Sequence, residues 1–162
     1  CIRDRRALRE WCEEKSSLYP VTSSECEGFY RRKWNYGSFK GRMFSIHPVK
    51  LEVEERYGDR VFRGEAVVKV KATVSSLAEA FFLPHIYYVE DVFIEEDVKD
   101  LNVKEITTYE SFYGAIIEEG ERVEAYGKLE RVEDRRSGDV YHRVLIGSPE
   151  LKGQDYVKPL SL

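Results

Sequence analysis

The chain has 162 residues and a mass of 19.0 kDa, which fits one domain of ordinary size. Its 26 lysines and arginines against 30 aspartates and glutamates give a net charge of -4, which argues against a protein that coats nucleic acid through bulk positive charge. The apolar fraction of 42% and the aromatic fraction of 13% argue against disorder. No apolar run of about 18 residues and no signal peptide can be read, so we expect a cytoplasmic protein with no membrane partner.

The cysteines and the first residues bear on the origin of the chain. Three cysteines, all within the first 26 residues, do not suggest a disulfide framework and favour a reducing compartment. The chain begins with Cys1 and has a single methionine, Met43, so we expect a fragment of a longer protein. Residues 1–5 resemble a translated adapter scar, and whether they are native stays open. The rest divides into an N-terminal helix and loop over residues 6–27 and a β-rich accessory domain over residues 28–162.

The first predicted element is a short helix over residues 4–15. Apolar residues recur there at spacings of three and four and form one stripe, whereas charged residues fill the opposite face. Pro20 blocks continuation of the helix. The polar residues 21–28 then predict a loop.

Beyond residue 28 the apolar period changes to two, which is typical of strands. The alternation is clearest over residues 60–74. Strands over 121–133 and 140–146 are joined by a glycine-containing connection typical of a hairpin, and Gly127 indicates a bulge or a sharp barrel bend. Residues 75–83 predict a short helix or an irregular crossover. Further predicted strands lie at 42–51, 85–95 and 103–117.

These elements together predict a mainly β (α+β) fold. A short N-terminal helix is followed by about six or seven strands at the spacing of a small antiparallel barrel or curled sheet. An open α+β sheet is the alternative architecture.

Residues 28–51 form the chemically unusual segment of the chain. They contain six cationic residues, six aromatic residues and no acidic residue, so the segment carries +6 and the rest of the chain -10. Cationic side chains beside flat rings suit a polyanion with stackable bases, and arginine forks match phosphate oxygens. A second interpretation also stays open, in which the rings are core and the charges balance the acidic C-terminal half across strands. The candidate phosphate- or nucleic-acid-binding residues are Arg31, Arg32, Lys33, Trp34, Tyr36, Lys40, Arg42 and His47.

Recognised catalytic and metal-binding spacings are missing from the sequence. His47, His85 and His142 fit none of the C-x-x-C, H-x-x-x-H or H-E-x-x-H patterns. The chain has no G-x-S-x-G elbow, no P-loop and no G-x-G-x-x-G fingerprint. We therefore predict no metal site and no catalytic residue within this chain.

Several stretches together resemble the C-terminal region of archaeal predicted nucleotidyltransferases of the DNA polymerase β-like superfamily. The motifs GFYRRKWN, FKGR and GKLERV carry the resemblance in this order, and it covers most of the chain after residue 5. The stretches that take part are residues 6–13, 28–51, 64–74 and 120–147.

The resemblance implies an accessory domain whose partner is an upstream catalytic domain that uses Mg²⁺ and a nucleotide. In that superfamily a Gly-Ser turn precedes the acidic pair that holds the metal. Here Gly37 and Ser38 are followed by basic residues, and Gly147 and Ser148 are followed by Glu150 alone. No catalytic residue is therefore carried over, no cofactor is expected in this fragment, and whether the full-length protein is an enzyme stays open.

The leading hypothesis is a non-catalytic domain that holds a phosphate-bearing substrate, or the end of a nucleic acid, against an active site elsewhere. Two alternatives stay open. One is a stand-alone OB-like nucleic-acid-binding module, and the other is a purely structural or oligomerisation domain.

Overall fold

The structure is a computed structural model, and it describes residues 5–40, 42–52, 56–95 and 101–162. Two helices precede the strands: α1 spans Arg5–Leu18 and α2 spans Ser23–Arg32. The predicted first helix is confirmed, but the loop expected over residues 21–28 is wrong. Helix α2 begins there because the Thr22 hydroxyl accepts from the Glu25 backbone N–H at 3.2 Å, while the Glu25 carboxylate accepts from the Thr22 N–H at 2.6 Å. This reciprocal capping box satisfies two backbone donors at the start of the helix.

The two helices pack against each other and against the body through aromatic side chains. The ring of Trp11 on α1 lies 5.6 Å from that of Tyr30 on α2 and 5.7 Å from that of Phe112. Phe29 on α2 is fully buried and lies 5.5 Å from Phe112. The helices are therefore part of the main hydrophobic core rather than a separate appendage.

Eight strands are found in the described residues. The predicted strand over 42–51 ends at Ser45, and the crossover expected over 75–83 is instead mostly a continuation of the long third strand. The strands are β1 (Tyr36–Phe39), β2 (Arg42–Ser45), β3 (Arg60–Glu79), β4 (His85–Ile94), β5 (Val103–Thr108), β6 (Arg122–Asp134), β7 (Val140–Ile146) and β8 (Tyr156–Pro159).

The strands form a two-stranded hairpin and a six-stranded mixed sheet. Strands β1 and β2 pair only with each other within the described chain, whereas the larger sheet has the order β3-β4-β5-β7-β6-β8. Strand β6 is paired with β3 along its whole length, from Arg122 to Asp134, so five strands close into a barrel. The antiparallel prediction fails at one place, because β5 and β7 are parallel. Around the barrel the strands follow the order β3-β4-β5-β7-β6 and then β3 again. If the five strands are numbered along the chain, this order is 1-2-3-5-4-1, which is that of an OB-type barrel.

The barrel interior is filled by alternate residues of the strands. Val68, Val70, Ala72 and Val74 of β3 are fully buried, as the period-two pattern predicts. Gly127 lies where β6 changes its partner from β8 to β7. No bulge is found there; instead, a Cβ at this position would lie 2.5 Å from the carbonyl oxygen of Leu145, so only glycine fits.

Candidate ligand-binding groove

The structure places Lys33 inside the protein rather than on its surface. Its side chain is 2% exposed, and Nζ donates to the carbonyl oxygens of Ser111 at 2.7 Å and Gly114 at 2.8 Å. Nζ also lies 4.7 Å from the centre of the Tyr36 ring. Burial lowers the pKa of Lys33 to about 7. Lys33 therefore ties the end of α2 to the turn after β5, and it does not reach a ligand on the surface.

The two arginines before Lys33 have different environments. Arg32 is largely buried, and Nη1 donates to the Glu121 carboxylate at 2.6 Å and to the Ile116 carbonyl at 3.1 Å. Arg31 is exposed, and its guanidinium lies 3.7 Å from the Glu27 carboxylate one turn earlier. Arg32 thus joins α2 to the start of β6, which leaves Arg31 as the surface cation of the pair.

The remaining predicted cations and rings divide between the core and the hairpin. Tyr36 packs edge-on against Trp11, with their ring centres 5.7 Å apart, whereas Trp34 is 59% exposed. Lys40 follows β1 and Arg42 begins β2, and both are exposed. They stand at the tip of the hairpin, away from Arg32 and Lys33.

His47 follows the hairpin within a segment without regular secondary structure, residues 46–51, that we call the strap. Nε2 of His47 lies 3.1 Å from the Ser45 hydroxyl oxygen, and the ring lies 6.4 Å from that of His85. His47 is the one predicted site residue that lines a cavity described below. The eight predicted residues therefore do not form a single surface.

The first cavity, which we call the strap cavity, measures about 420 Å³ and lies between the strap and the β3–β4 turn. Lys50 of the strap places Nζ 5.4 Å from the centre of the Phe82 ring and forms a salt bridge with Glu79. Tyr88 and Arg60 also line this cavity.

The second cavity, which we call the arginine cavity, measures about 550 Å³. Its lining combines cationic and aromatic side chains, and no acidic residue lines it among the described residues. Such a lining suits a ligand that carries both negative charge and flat rings. The charged and aromatic members are Arg56, Arg60, Arg143, Tyr57, Phe62 and Tyr109.

Arg143 is fixed at the base of the arginine cavity. Its Nε and Nη2 donate to one carboxylate oxygen of Glu130 at 2.9 and 2.8 Å, and both side chains are buried. The guanidinium lies 3.8 Å from the centre of the Phe62 ring, within cation–π distance. These contacts hold the cation in one position before any ligand arrives.

A buried carboxyl group lies beside this pair. Glu105 on β5 is opposite Arg143 in the β5–β7 register, and it accepts hydrogen bonds from Thr107 at 3.3 Å and from Tyr141 at 3.5 Å. The Tyr141 hydroxyl oxygen in turn accepts from Nη1 of Arg60 at 3.5 Å. Burial raises the pKa of Glu105 despite the nearby guanidinium groups. This network connects the two arginines through the sheet beneath the cavity.

Sequence reasoning missed the three arginines of the cavity. Arg60 and Arg143 lie within predicted strands, where a charged residue is ordinarily a solvent-facing position. Their approach depends on the pairing of β6 with both β3 and β7, which strand periodicity does not reveal. Arg56 precedes the turn at Tyr57 and Gly58, and that turn was the only readable signal nearby.

The described residues contain neither a cluster of metal-ligand side chains nor a helix of membrane-spanning length and apolarity. Within residues 5–40, 42–52, 56–95 and 101–162, no three His, Cys, Asp or Glu side chains come together as metal ligands. No described helix has the length and apolar character needed to cross a membrane.

Comparison with known proteins finds a distant archaeal relative. The chain is 29% identical over 140 residues to the uncharacterized protein MJ1086 of Methanocaldococcus jannaschii. The match covers 85% of this chain but 39% of the relative, so the chain spans about two fifths of the relative's length. No family model and no solved structure matches the chain.

Proposed function

We propose that this chain is a nucleic-acid-binding domain of a longer protein, and that it holds a strand or a strand end in the arginine cavity. The observation that carries the proposal is the lining of that cavity, where three arginines and three aromatic rings meet and, among the described residues, no acidic side chain joins them. Arginines neutralise phosphates and rings stack on bases, which are the two contacts that single strands offer. The length of the archaeal relative supports a domain that acts beside another one.

Arg56 rather than Arg143 is the arginine of this cavity that is exposed to a phosphate. A buried arginine paired with one carboxylate is neutralised, but it keeps donors outside the two hydrogen bonds to Glu130. Arg56 is exposed on the same cavity. An exposed arginine there can bind a phosphate without breaking a buried pair. The resemblance to nucleotidyltransferases is compatible with this role, since such an accessory domain would present a strand end to the catalytic domain.

Fluorescence anisotropy of a labelled 12-nucleotide single strand, titrated at several salt concentrations, tests the proposal. We expect Arg56→Ala to weaken binding by roughly tenfold and to lower the salt slope by about 0.7, the value for one phosphate contact on a single strand. Arg63→Ala is the matched control, because Arg63 is an exposed arginine of the same strand as Arg60 but does not line the cavity.

Two results would contradict the proposal. One is the absence of binding at low salt by the folded domain, which would favour the structural alternative. The other is an equal loss of affinity in Arg56→Ala and Arg63→Ala, which would mean that binding is spread over the whole surface. Binding without Mg²⁺ or nucleotide is expected, because the proposed contacts are made by arginines and aromatic rings alone.

A further inference from the structure

The two cavities adjoin each other on one side of the barrel. Arg60, Pro84 and Ile86 line both of them, so the arginine cavity and the strap cavity share a wall. We propose that the ligand is an extended single strand of several nucleotides that crosses Arg60 from the arginine cavity into the strap cavity and ends at Trp34. This inference rests on the proposed function and adds to it the form of the ligand and a second half of the site.

Aromatic rings continue beyond the arginine cavity. Tyr88 and Phe82 line the strap cavity, and Phe81 is the neighbour of Phe82 in the β3–β4 turn. The ring of Trp34 meets that of Phe81 edge-on at 5.9 Å and is 59% exposed. Trp34 is thus linked to the strap cavity through Phe81, the residue before Phe82, and its exposed indole is a suitable platform for a base.

The charges of the two halves differ. In the strap cavity Lys50 is already paired with Glu79, whereas none of the residues that the structure describes around the arginine cavity is acidic. Phosphate neutralisation is therefore expected mainly at Arg56, the exposed arginine of that cavity. The strap half contributes mainly through stacking, which salt affects little. This asymmetry distinguishes the two halves in a binding experiment.

The geometry favours a single strand over a mononucleotide or a duplex. Two cavities of about 550 and 420 Å³ are divided at Arg60, so a mononucleotide in one leaves the other empty. In a duplex the bases are stacked within the helix and do not present their faces to rings such as Tyr88 and Trp34. A flexible strand can place phosphates near the arginines and a base on Trp34.

A length series of single-stranded oligonucleotides, from two to about twelve nucleotides, tests the inference in the wild-type chain. Affinity should rise with length beyond the shortest oligonucleotides that bind. Trp34 is one of two tryptophans, and the other, Trp11, is buried out of reach of a base, so a change in tryptophan emission on binding reports on Trp34. We expect long oligonucleotides to quench this emission and the shortest ones to leave it unchanged.

The variant Trp34→Ala separates this inference from the proposed function. It should lower the affinity for long oligonucleotides by roughly fivefold to a hundredfold, and it should leave the salt slope and the affinity for the shortest ones nearly unchanged. Phe39→Ala is the control, because Phe39 is an exposed ring of the hairpin that lines neither cavity. Circular dichroism spectra of the two variants check that both are folded.

The possible outcomes are distinct. Constant affinity above the shortest binding length, or Trp34 emission that no oligonucleotide changes, would overturn the extended-strand inference while the arginine cavity remains the binding site. Equal affinity for a duplex of the same sequence would also overturn it. If no oligonucleotide binds at all, the proposed function itself fails.

Discussion

Arg143 and Glu130 meet through two hydrogen bonds that converge on a single carboxylate oxygen. Both side chains are buried, and they lie on the paired strands β7 and β6. The pair is opposite in the strand register, so neither side chain has to bend to reach the other. Truncation of one partner leaves the other as an uncompensated buried charge.

Glu130→Ala should therefore lower the free energy of unfolding by about 3 to 5 kcal/mol in urea denaturation. The double variant Glu130→Leu with Arg143→Met should recover much of that loss, since an apolar pair avoids the cost of burying charge. The double variant should nevertheless bind oligonucleotides more weakly than the wild type. A stable double variant with unchanged affinity would remove Arg143 from the binding site.

Lys33 should make stability depend on pH. Burial lowers its folded pKa to about 7, against 10.5 for the ordinary lysine. Between these values the unfolded chain keeps the proton that the folded chain releases, so the free energy of unfolding rises with pH, by at most about 1.4 kcal/mol per pH unit. Below about pH 7 both states are protonated, and this contribution no longer changes with pH.

Lys33→Met removes that titration. The difference in unfolding free energy between wild type and variant should shift in favour of the wild type as the pH rises from about 7 to about 9. Subtraction of the two curves of unfolding free energy against pH cancels the contributions of the titratable groups that both proteins share. Lys40→Met, at an exposed lysine, should give a flat difference. A flat difference for Lys33→Met as well would show that Lys33 titrates normally.

Arg32 should prove structural rather than ligand-binding. Its hydrogen bonds to Glu121 and to the Ile116 carbonyl connect α2 to the barrel, so Arg32→Ala should cost about 1.5 to 3 kcal/mol of stability. Arg31→Ala should change stability by less than about 1 kcal/mol, because its ion pair with Glu27 is exposed. Thermal denaturation measures both effects. If Arg32→Ala stays folded and yet binds oligonucleotides more weakly, Arg32 is part of the binding surface after all.

Gly127→Ala should destabilise the barrel through a steric effect alone. The added Cβ would approach the Leu145 carbonyl oxygen to 2.5 Å and the Ile146 side chain to 2.7 Å. Because the backbone oxygen is part of the β6–β7 pairing, relief requires the strands to separate, and we expect a loss of about 1 to 3 kcal/mol. Gly120→Ala tests the alternative cause, since Gly120 has open space but a positive φ of 82°. A larger loss at Gly120 would show that backbone conformation matters more than packing.

Much of the barrel could be predicted from the sequence because its strands alternate between core and surface. The predicted strands at 85–95, 121–133 and 140–146 are confirmed nearly to their ends. Helix α2 was missed although its capping pair, Thr22 and Glu25, could be read at the expected spacing.

The candidate site was less accessible to sequence reasoning. Lys33 belongs to a basic run, yet its location is decided by the carbonyl oxygens of Ser111 and Gly114, which follow it by 78 and 81 residues. Arg60 and Arg143 approach each other only after three strands have paired in the correct register. A run of charge indicates where cations are frequent, but long-range pairing decides which of them share a cavity.

The pairing of β3 with β6 also has a consequence for synthesis. Arg60, the first residue of β3, is opposite Asp134, the last residue of β6. During synthesis β3 therefore cannot complete its pairing with β6 until Asp134, 74 residues later, has left the ribosome. Such long-range closure slows folding, and the waiting strand has an uncovered backbone edge. The nascent chain is thus most vulnerable to aggregation before β6 emerges. A ribosome stalled just before the codon for Arg122 would hold that vulnerable state for study.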